Sequence, residues 1–259
     1  MRFASLGSGS EGNALLVETR DGASVTRVLV DCGFGQRECA RRLARLGLAP
    51  ADLDAILVTH EHGDHLAGVI PLARRHWLPV HMTLGTSRAC AVDALEPGAL
   101  RVIDAHAPFD FRDLRILPVP VPHDAREPVQ YILDDGRHRL GVLTDLGHAT
   151  ALLPRVMSGL DALVLETNHD TDLLAGSAYP ASLKRRIAGD YGHLCNDDAA
   201  RLLRALPRER MQAVVAAHLS RQNNRAELAR RALADAIGAD EDDIRVADQD
   251  DGLDWVTLA

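Results

Sequence analysis

Three histidines and two carboxylates stand within six positions in the stretch Thr59-His60-Glu61-His62-Gly63-Asp64-His65-Leu66-Ala67-Gly68. In a folded interior each of these groups would cost about 1–3 kcal/mol if left without a partner, so the cluster needs something to compensate it. In an extended loop His60 and His62 point the same way, because strand-like side chains repeat every two residues. They can share one ion. Asp64 and His65 fall where the loop would become a helix, Asp64 being a good N-cap type and the helix dipole favouring negative charge there. They can face a second ion. Neutral imidazoles with a carboxylate form a ligand set for Zn²⁺ or another first-row metal, and an Asp/His mixture without Cys does not separate Zn²⁺ from Mn²⁺. Glu61 lies between the ligands, points away and needs no special role.

The elements around the cluster would have to position it. Two apolar runs around a Gly/Ser/Asn turn open the chain, and "TRVLVDCG" follows as a third strand ending at Asp31. "QRECARRLARLG" reads as a helix stopping at Gly47, and "LDAILVT" as a strand leading into the histidines. "HLAGVIPLARRH" reads as the helix that leaves them. The middle of the chain is mostly β, with Asp134 to Arg137 a hairpin turn. The last third alternates helix and strand from "LDALVLET" onward, ending in a strand. Two β-rich halves, each with helices, predict a sandwich of two sheets between helical layers in a single domain spanning 1–259.

Composition limits the rest. Hydrophobic residues at 46% and charged residues at 25% exclude a disordered chain. No run of ~18 apolar residues and no long apolar leader occurs, so a cytoplasmic protein without a membrane partner is expected. The scattered Cys32, Cys39, Cys90 and Cys195 fit reduced thiols and have no assigned role. A net charge of −8 argues against a basic nucleic-acid coat, yet residues 184–231 hold eleven Lys/Arg against five Asp/Glu. That window could face phosphates or form solvated helix faces. The oligomeric state is left open.

The pattern HxHxDH after an apolar strand and before an amphipathic helix resembles the signature of the metallo-β-lactamase superfamily, and further residues match its later motifs in order. The resemblance implies an α/β fold, an αββα sandwich of two mixed sheets flanked by helices. It also implies two divalent ions, one held by His60, His62 and His123, the other by Asp64, His65 and His218, with Asp145 bridging them. Asp31 matches a position whose acid usually holds the histidine loop, the alternative being a turn residue. His76, His81, His106 and His138 have no motif context and read as surface or structural residues; His148 could line the pocket.

Within that superfamily "LVLETNHD" and "YGHLCNDDAARLL" place Glu166 and His193 where the RNase Z branch carries a glutamate and a histidine that serves as a candidate proton donor. A departing alkoxide gains from such a donor. His193 could instead cap the following helix, and His169 could support a ligand from behind, face the substrate or be structural. Ser220, Asn223 and Asn224 in "HLSRQNN" could hold a phosphate. Together "GSGSEGN", "VDCGFG", "THEHGDHLAG", "ETNHD", "GHLCNDDAA" and "HLSRQNN" resemble the YycJ/WalJ group, which implies a metal-dependent 5′→3′ exonuclease acting on DNA, with Asp64 and Asp145 as catalytic ligands. The competing readings are a glyoxalase II-like thioesterase or a lactonase with the same ligands, and a non-catalytic docking module that keeps the fold.

Overall fold

The computed structural model describes residues 1–259. Six of the first strands join one sheet: β1 (Arg2–Gly7), β2 (Ala14–Asp21), β3 (Ser24–Val30), β4 (Ala55–Leu57), β5 (Val80–Thr83) and β6 (Leu100–Ile103). The second sheet holds β7 (Phe109–Phe111), β8 (Leu114–Pro120), β9 (Val129–Asp134), β10 (Arg139–Leu143), β11 (Ala162–Glu166), β12 (Ala213–Ala217) and β13 (Ile244–Val246). The last strand, β14 (Leu253–Thr257), returns to the first sheet and pairs antiparallel with β1. Each sheet therefore has seven strands and is mixed: β3 to β6 run parallel on one side, β10 to β13 on the other.

The strands alternate with period two, and both faces are buried. Val28 and Val30 of β3, Val164 of β11 and Val215 of β12 point between the sheets, into a cluster that runs from Phe3 to Leu258. Their neighbours Leu29, Leu163, Leu165 and Val214 point outward and meet helices. The first sheet is covered by α1 (Gln36–Arg45), and by α3 (Val69–His76), which follows the one-turn α2 (Gly63–Leu66). After α4 (Leu84–Ala89), the second sheet is covered by α5 (Leu153–Val156) and, beyond α6 (Thr171–Gly176) and α7 (Ala181–Ile187), by α8 (Asn196–Ala205) and α9 (Ala226–Ile237). The layers are helix, sheet, sheet, helix, as expected from the patterning. No helix is long and apolar enough to cross a membrane.

Several local features differ from the sequence pattern. Within the mostly β middle of the chain, the uninterrupted stretch "FDFRDLRILPVPV" folds as the hairpin of β7 and β8, turned at Arg112, whose φ of 53° is left-handed. The single helix expected after the histidines is broken into α2 and α3 around Ala67 and Gly68. A side chain at Gly68 would run into the Phe34 carbonyl, so close approach of two loops replaces helix continuity there. The two helices α6 and α7 occupy a stretch with little apolar periodicity.

Candidate metal centre and active site

The parallel strands end on one edge of the sandwich, and the chemistry collects there. Asp31 follows β3, Thr59 and His60 come shortly after β4, Thr144 and Asp145 follow β10, Glu166 closes β11, and His218 follows β12. Asp31, Asp145 and His218 have φ of 60°, 55° and 55°, in the left-handed region that costs a non-glycine residue roughly 1–3 kcal/mol. Three of the five such residues in the chain thus bend strand ends inward at this one site.

The hydrogen bonds fix how each imidazole presents itself. Thr59 N donates to Asp31 Oδ1 at 2.8 Å, and Thr59 Oγ1 donates to Asp31 Oδ2 at 2.8 Å, leaving the hydroxyl oxygen to accept from His60 Nδ1 at 2.9 Å. The proton of His60 is therefore on Nδ1. Its Nε2, fully buried, has no partner. His65 Nδ1 donates to Asp31 Oδ2 at 2.8 Å, His123 Nδ1 to the Gly192 carbonyl at 3.0 Å, and His62 Nε2 to the Asp124 carbonyl at 3.2 Å. The second nitrogens of His62 and His123 then face one another at 3.2 Å with a lone pair each. Two lone pairs at that distance repel, unless a cation sits between them.

One candidate atom from each of His60, His62 and His123 lies within 4.8 Å of the others, and the same holds for Asp64, His65 and His218. Asp145 stands between the two groups. Its Oδ2 is 3.0 Å from His65 Nε2, a contact not aligned as a hydrogen bond, while Oδ1 is 3.7 Å from His123 Nε2 and 3.6 Å from His218 Nε2. Orphaned buried acceptors at His60 Nε2 and Asp145 Oδ2, opposed lone pairs and an oxygen-and-nitrogen donor set all fit divalent cations.

The electrostatics agree. Burial pushes His60 well below the ordinary imidazole range, so it stays neutral. Burial also opposes the charge of His65 and His218, but the carboxylates overcome it: Asp145 and Asp31 hold His65 well above that range, and Asp145 with Asp64 and Glu166 holds His218 up at about 10. Asp145 and Asp64 are held below the carboxylate range by those same imidazoles, against the penalty of burial. The carboxylates thus demand positive charge beside them, which protonated His65 and His218 supply when no cation does.

Glu166 is wholly buried yet well partnered. Its Oε2 accepts from Leu146 N at 2.7 Å and Leu194 N at 3.2 Å, and its Oε1 lies 2.7 Å from His193 Nδ1 and 3.3 Å from His218 Nδ1. Despite burial, His193 and His218 bring it down to about 2, and it in turn outweighs the burial of His193 and raises that imidazole. His193 sits 3.6 Å from Asp145, and the α8 N-cap is Cys195, not His193.

All seven expected ligands and the Glu166–His193 pair converge at a cavity of about 410 Å³, whose lining includes His62, Asp64, Asp145, His193 and His218, with His60, His65, His123 and Glu166 behind it. Ser220 and Asn223 do not line it; Asn223 N donates to Ser220 Oγ at 3.2 Å in the turn before α9, and Asn224 forms a reciprocal amide pair with Asn196 at 2.8 and 2.9 Å. His169 is buried, pairs its backbone with Cys195, and its Nδ1 has no partner. His148 is exposed and holds the Asp190 carbonyl at 2.8 Å. Glu61, for which the sequence suggested no role, supports the site: its Oε1 accepts from Arg126 N at 2.8 Å and ties the two loops that carry His62 and His123.

Sequence reasoning missed four further supports. Asn13 Nδ2 reaches Asp64 Oδ2 at 3.3 Å, Ser8 Oγ accepts from His218 N at 2.8 Å, Asn168 Nδ2 donates to the His218 carbonyl at 3.0 Å, and Asp124 pairs with Arg186 at 2.6 Å on the cavity wall. Motif spacing carries no sign of them, although Ser8 and Asn13 lie in the stretch "GSGSEGN".

Comparison with known proteins places this geometry. The family model described as "Beta-lactamase superfamily domain" matches residues 26–218. The chain is 34% identical to Exodeoxyribonuclease YycJ of Bacillus anthracis, over 92% of this chain and 89% of that one. It is 31% identical to Exodeoxyribonuclease WalJ of Streptococcus pneumoniae, over 91% and 88%. The crystal structure of Zn²⁺-bound PqqB from Methylobacterium extorquens shares the fold, with a TM-score of 0.73 over the full length of both chains at 17% identity. The helix, sheet, sheet, helix layering and the matched residues agree: this chain belongs to the metallo-β-lactamase superfamily.

Proposed function

We propose that the protein is a metal-dependent phosphodiesterase that degrades DNA, a 5′→3′ exonuclease like the relatives named as exodeoxyribonucleases. One domain, 1–259, carries the whole site, and the work is cytoplasmic. His60, His62 and His123 are the ligands of one divalent ion, Asp64, His65 and His218 those of a second, and Asp145 faces both. When bound, such ions supply Lewis acidity, a nucleophilic water at neutral pH and charge neutralisation at a phosphoryl group.

The chain's own residues do the remainder. Asp31 and Thr59 hold His60 and His65 in the tautomers that turn a lone pair to the cavity. Glu166 keeps the proton of His193 available above the ordinary imidazole range, and His193 delivers it to the departing ester oxygen. That pair is the observation that carries the reading. A thiolate leaves without a proton, so a thioesterase has no use for an imidazole held 2.7 Å from a buried carboxylate that favours its protonated form, whereas a sugar alkoxide does. Similarity to two exodeoxyribonucleases over nine-tenths of the chain supports DNA.

The test is the metal-reconstituted protein assayed on end-labelled single- and double-stranded DNA and RNA beside an S-acyl glutathione. Expected is stepwise shortening of DNA from the 5′ end with the thioester untouched. Thioester hydrolysis without nucleic-acid cleavage would overturn the proposal.

A further inference from the structure

One wall of the cavity belongs neither to the ligands nor to the proton donor. It is the segment from Tyr179 through α7 to Gly192, which contributes Tyr179, Leu183, Arg186, Ile187 and Gly192 to the lining. Beside Gly192, Tyr191 is 63% exposed, and among the large hydrophobic residues only Trp77 is more open. Tyr191 stands between Asp190 and the lining residue Gly192, and its carbonyl accepts from the N–H of Asp124, another lining residue, which sets it beside the cavity mouth.

This wall is rigid. Gly192 has no room for a side chain, because the Arg186 and Ile187 carbonyls press against it. His193 N donates to the Ile187 carbonyl at 2.9 Å, Asp124 N to the Tyr191 carbonyl at 3.0 Å, His148 Nδ1 to the Asp190 carbonyl at 2.8 Å, and His123 Nδ1 to the Gly192 carbonyl at 3.0 Å. Tyr191 is thus fixed by its neighbours' backbone while its own ring is free. Between the two tyrosines, α7 carries Lys184, Arg185 and Arg186 in succession, and Arg186 Nε holds Asp124 Oδ2 at 2.6 Å while remaining 62% exposed. The lining also holds the carboxylates Asp64, Asp124 and Asp145, and Arg186 neutralises Asp124 there.

We propose that this wall grips the single-stranded end of a DNA substrate: Arg186 exchanges the Asp124 carboxylate for a backbone phosphate, and bases stack on Tyr179 within the cavity and Tyr191 at its rim. The inference rests on the nuclease reading and says which form of DNA it takes. Asp145 and His65 lie at the bottom of the site, 2% and 0% exposed, so a phosphate must enter a cavity of about 410 Å³ to reach them. Aromatic faces with a few cations are the means by which proteins hold unpaired strands without reading sequence, every base offering a π-face. A net charge of −8 over the whole chain leaves less to general attraction for phosphates.

The experiment measures KM and kcat of the metal-loaded protein on a 5′-phosphorylated single-stranded DNA oligonucleotide and on bis-p-nitrophenyl phosphate, for wild type, Tyr191→Ala, Tyr191→Trp and Arg186→Gln. Expected is a rise in the oligonucleotide KM of about tenfold or more for Tyr191→Ala, recovered by Tyr191→Trp, and a rise for Arg186→Gln. Equal oligonucleotide KM in wild type and Tyr191→Ala overturns the wall assignment while leaving the nuclease reading intact. So does an equal proportional rise on bis-p-nitrophenyl phosphate, which is too small to reach the rim and would report general damage. A wild type that cleaves no nucleic acid defeats the nuclease reading, and this inference with it.

Discussion

Replacing Asp31 by Asn tests how the fold sets the chemistry of its histidines. Asp31 is 3% exposed and accepts three hydrogen bonds of 2.8 Å, from Thr59 N, Thr59 Oγ1 and His65 Nδ1. Asn keeps the shape but has one acceptor oxygen. If that oxygen retains Thr59 N, the amide nitrogen confronts the His65 Nδ1 proton, donor against donor. In the neutral form that would bind metal, His65 escapes by keeping its one proton on Nε2, the atom 3.0 Å from Asp145 and 3.4 Å from Asp64. An N–H there cannot ligate. Hydrogen bonds to a charged group contribute about 1.5–3 kcal/mol each, and Asn recovers part, so metal-free stability should fall by roughly 2–3 kcal/mol, or about 5–10 °C in Tm. Affinity for one of the two ions should fall about 10–100-fold. Chelator-competition titration with Zn²⁺, read alongside thermal unfolding of the metal-free protein, measures both. Two ions bound by Asp31→Asn with wild-type affinity would refute the argument that Asp31 sets the His65 tautomer.

Other consequences follow from the same geometry. His193→Ala should lower kcat on DNA by about 10²–10⁴-fold and much less on bis-p-nitrophenyl phosphate, whose leaving group needs no proton; equal losses on both would remove the proton-donor role. Because Glu166 raises His193, Glu166→Gln should move the alkaline limb of kcat to lower pH, and an unmoved limb in the pH profile contradicts the pairing. His81, 8% exposed and stacked on Phe109 at 5.1 Å, is brought down to about 4 by burial and then by Arg101. Its unfolded value is near 6.5, so between these values the unfolded chain binds the proton and the folded one does not. Stability is therefore whole above pH ~6.5 and declines as pH falls toward 4, by up to about 1.4 kcal/mol per unit. His81→Phe should flatten that decline, and urea midpoints whose difference from wild type is the same at pH ~7 and pH ~5 would rule the effect out. With Arg186 the one Lys or Arg in the cavity lining and Lys184 and Arg185 next to it on α7, log KM for single-stranded DNA should rise with log salt at a slope of about 1–2; a slope above about 4 would mean a wider phosphate-binding surface.

The layers of the fold were legible because both sheets are buried on both faces, which writes apolar runs of strand length, and because β10 to β12 alternate with helices in the pattern of parallel crossovers. Of the expected ligands, His60, His62, Asp64 and His65 were legible in the compact HxHxDH spacing after an apolar strand, whereas His123, Asp145 and His218 were legible only through their resemblance to later motifs of the superfamily. What stayed hidden depends on distance and backbone. Ser8 and His218 meet across 210 positions, Asp124 and Arg186 across 62, and no local pattern records such contacts. The left-handed φ of Asp31, Asp145 and His218 is imposed by the surrounding structure on residues that do not prefer it. In "HLSRQNN", short polar residues announce a turn as readily as a phosphate site, and Ser220 and Asn223 are spent on the turn. The wall from Tyr179 to Tyr191 escaped notice because α7 has one strongly apolar pair, Leu183 and Ile187, and no motif.

Above all, seven side chains from distant parts of the chain are proposed to grip two cations. A crystal structure of the protein grown with Zn²⁺ or Mn²⁺, with anomalous data collected at the metal edge, tests this directly. Two anomalous peaks per chain are expected, one among His60, His62 and His123 and one among Asp64, His65 and His218, with Asp145 reaching both. No peak among these residues, or ions bound only elsewhere, would contradict it.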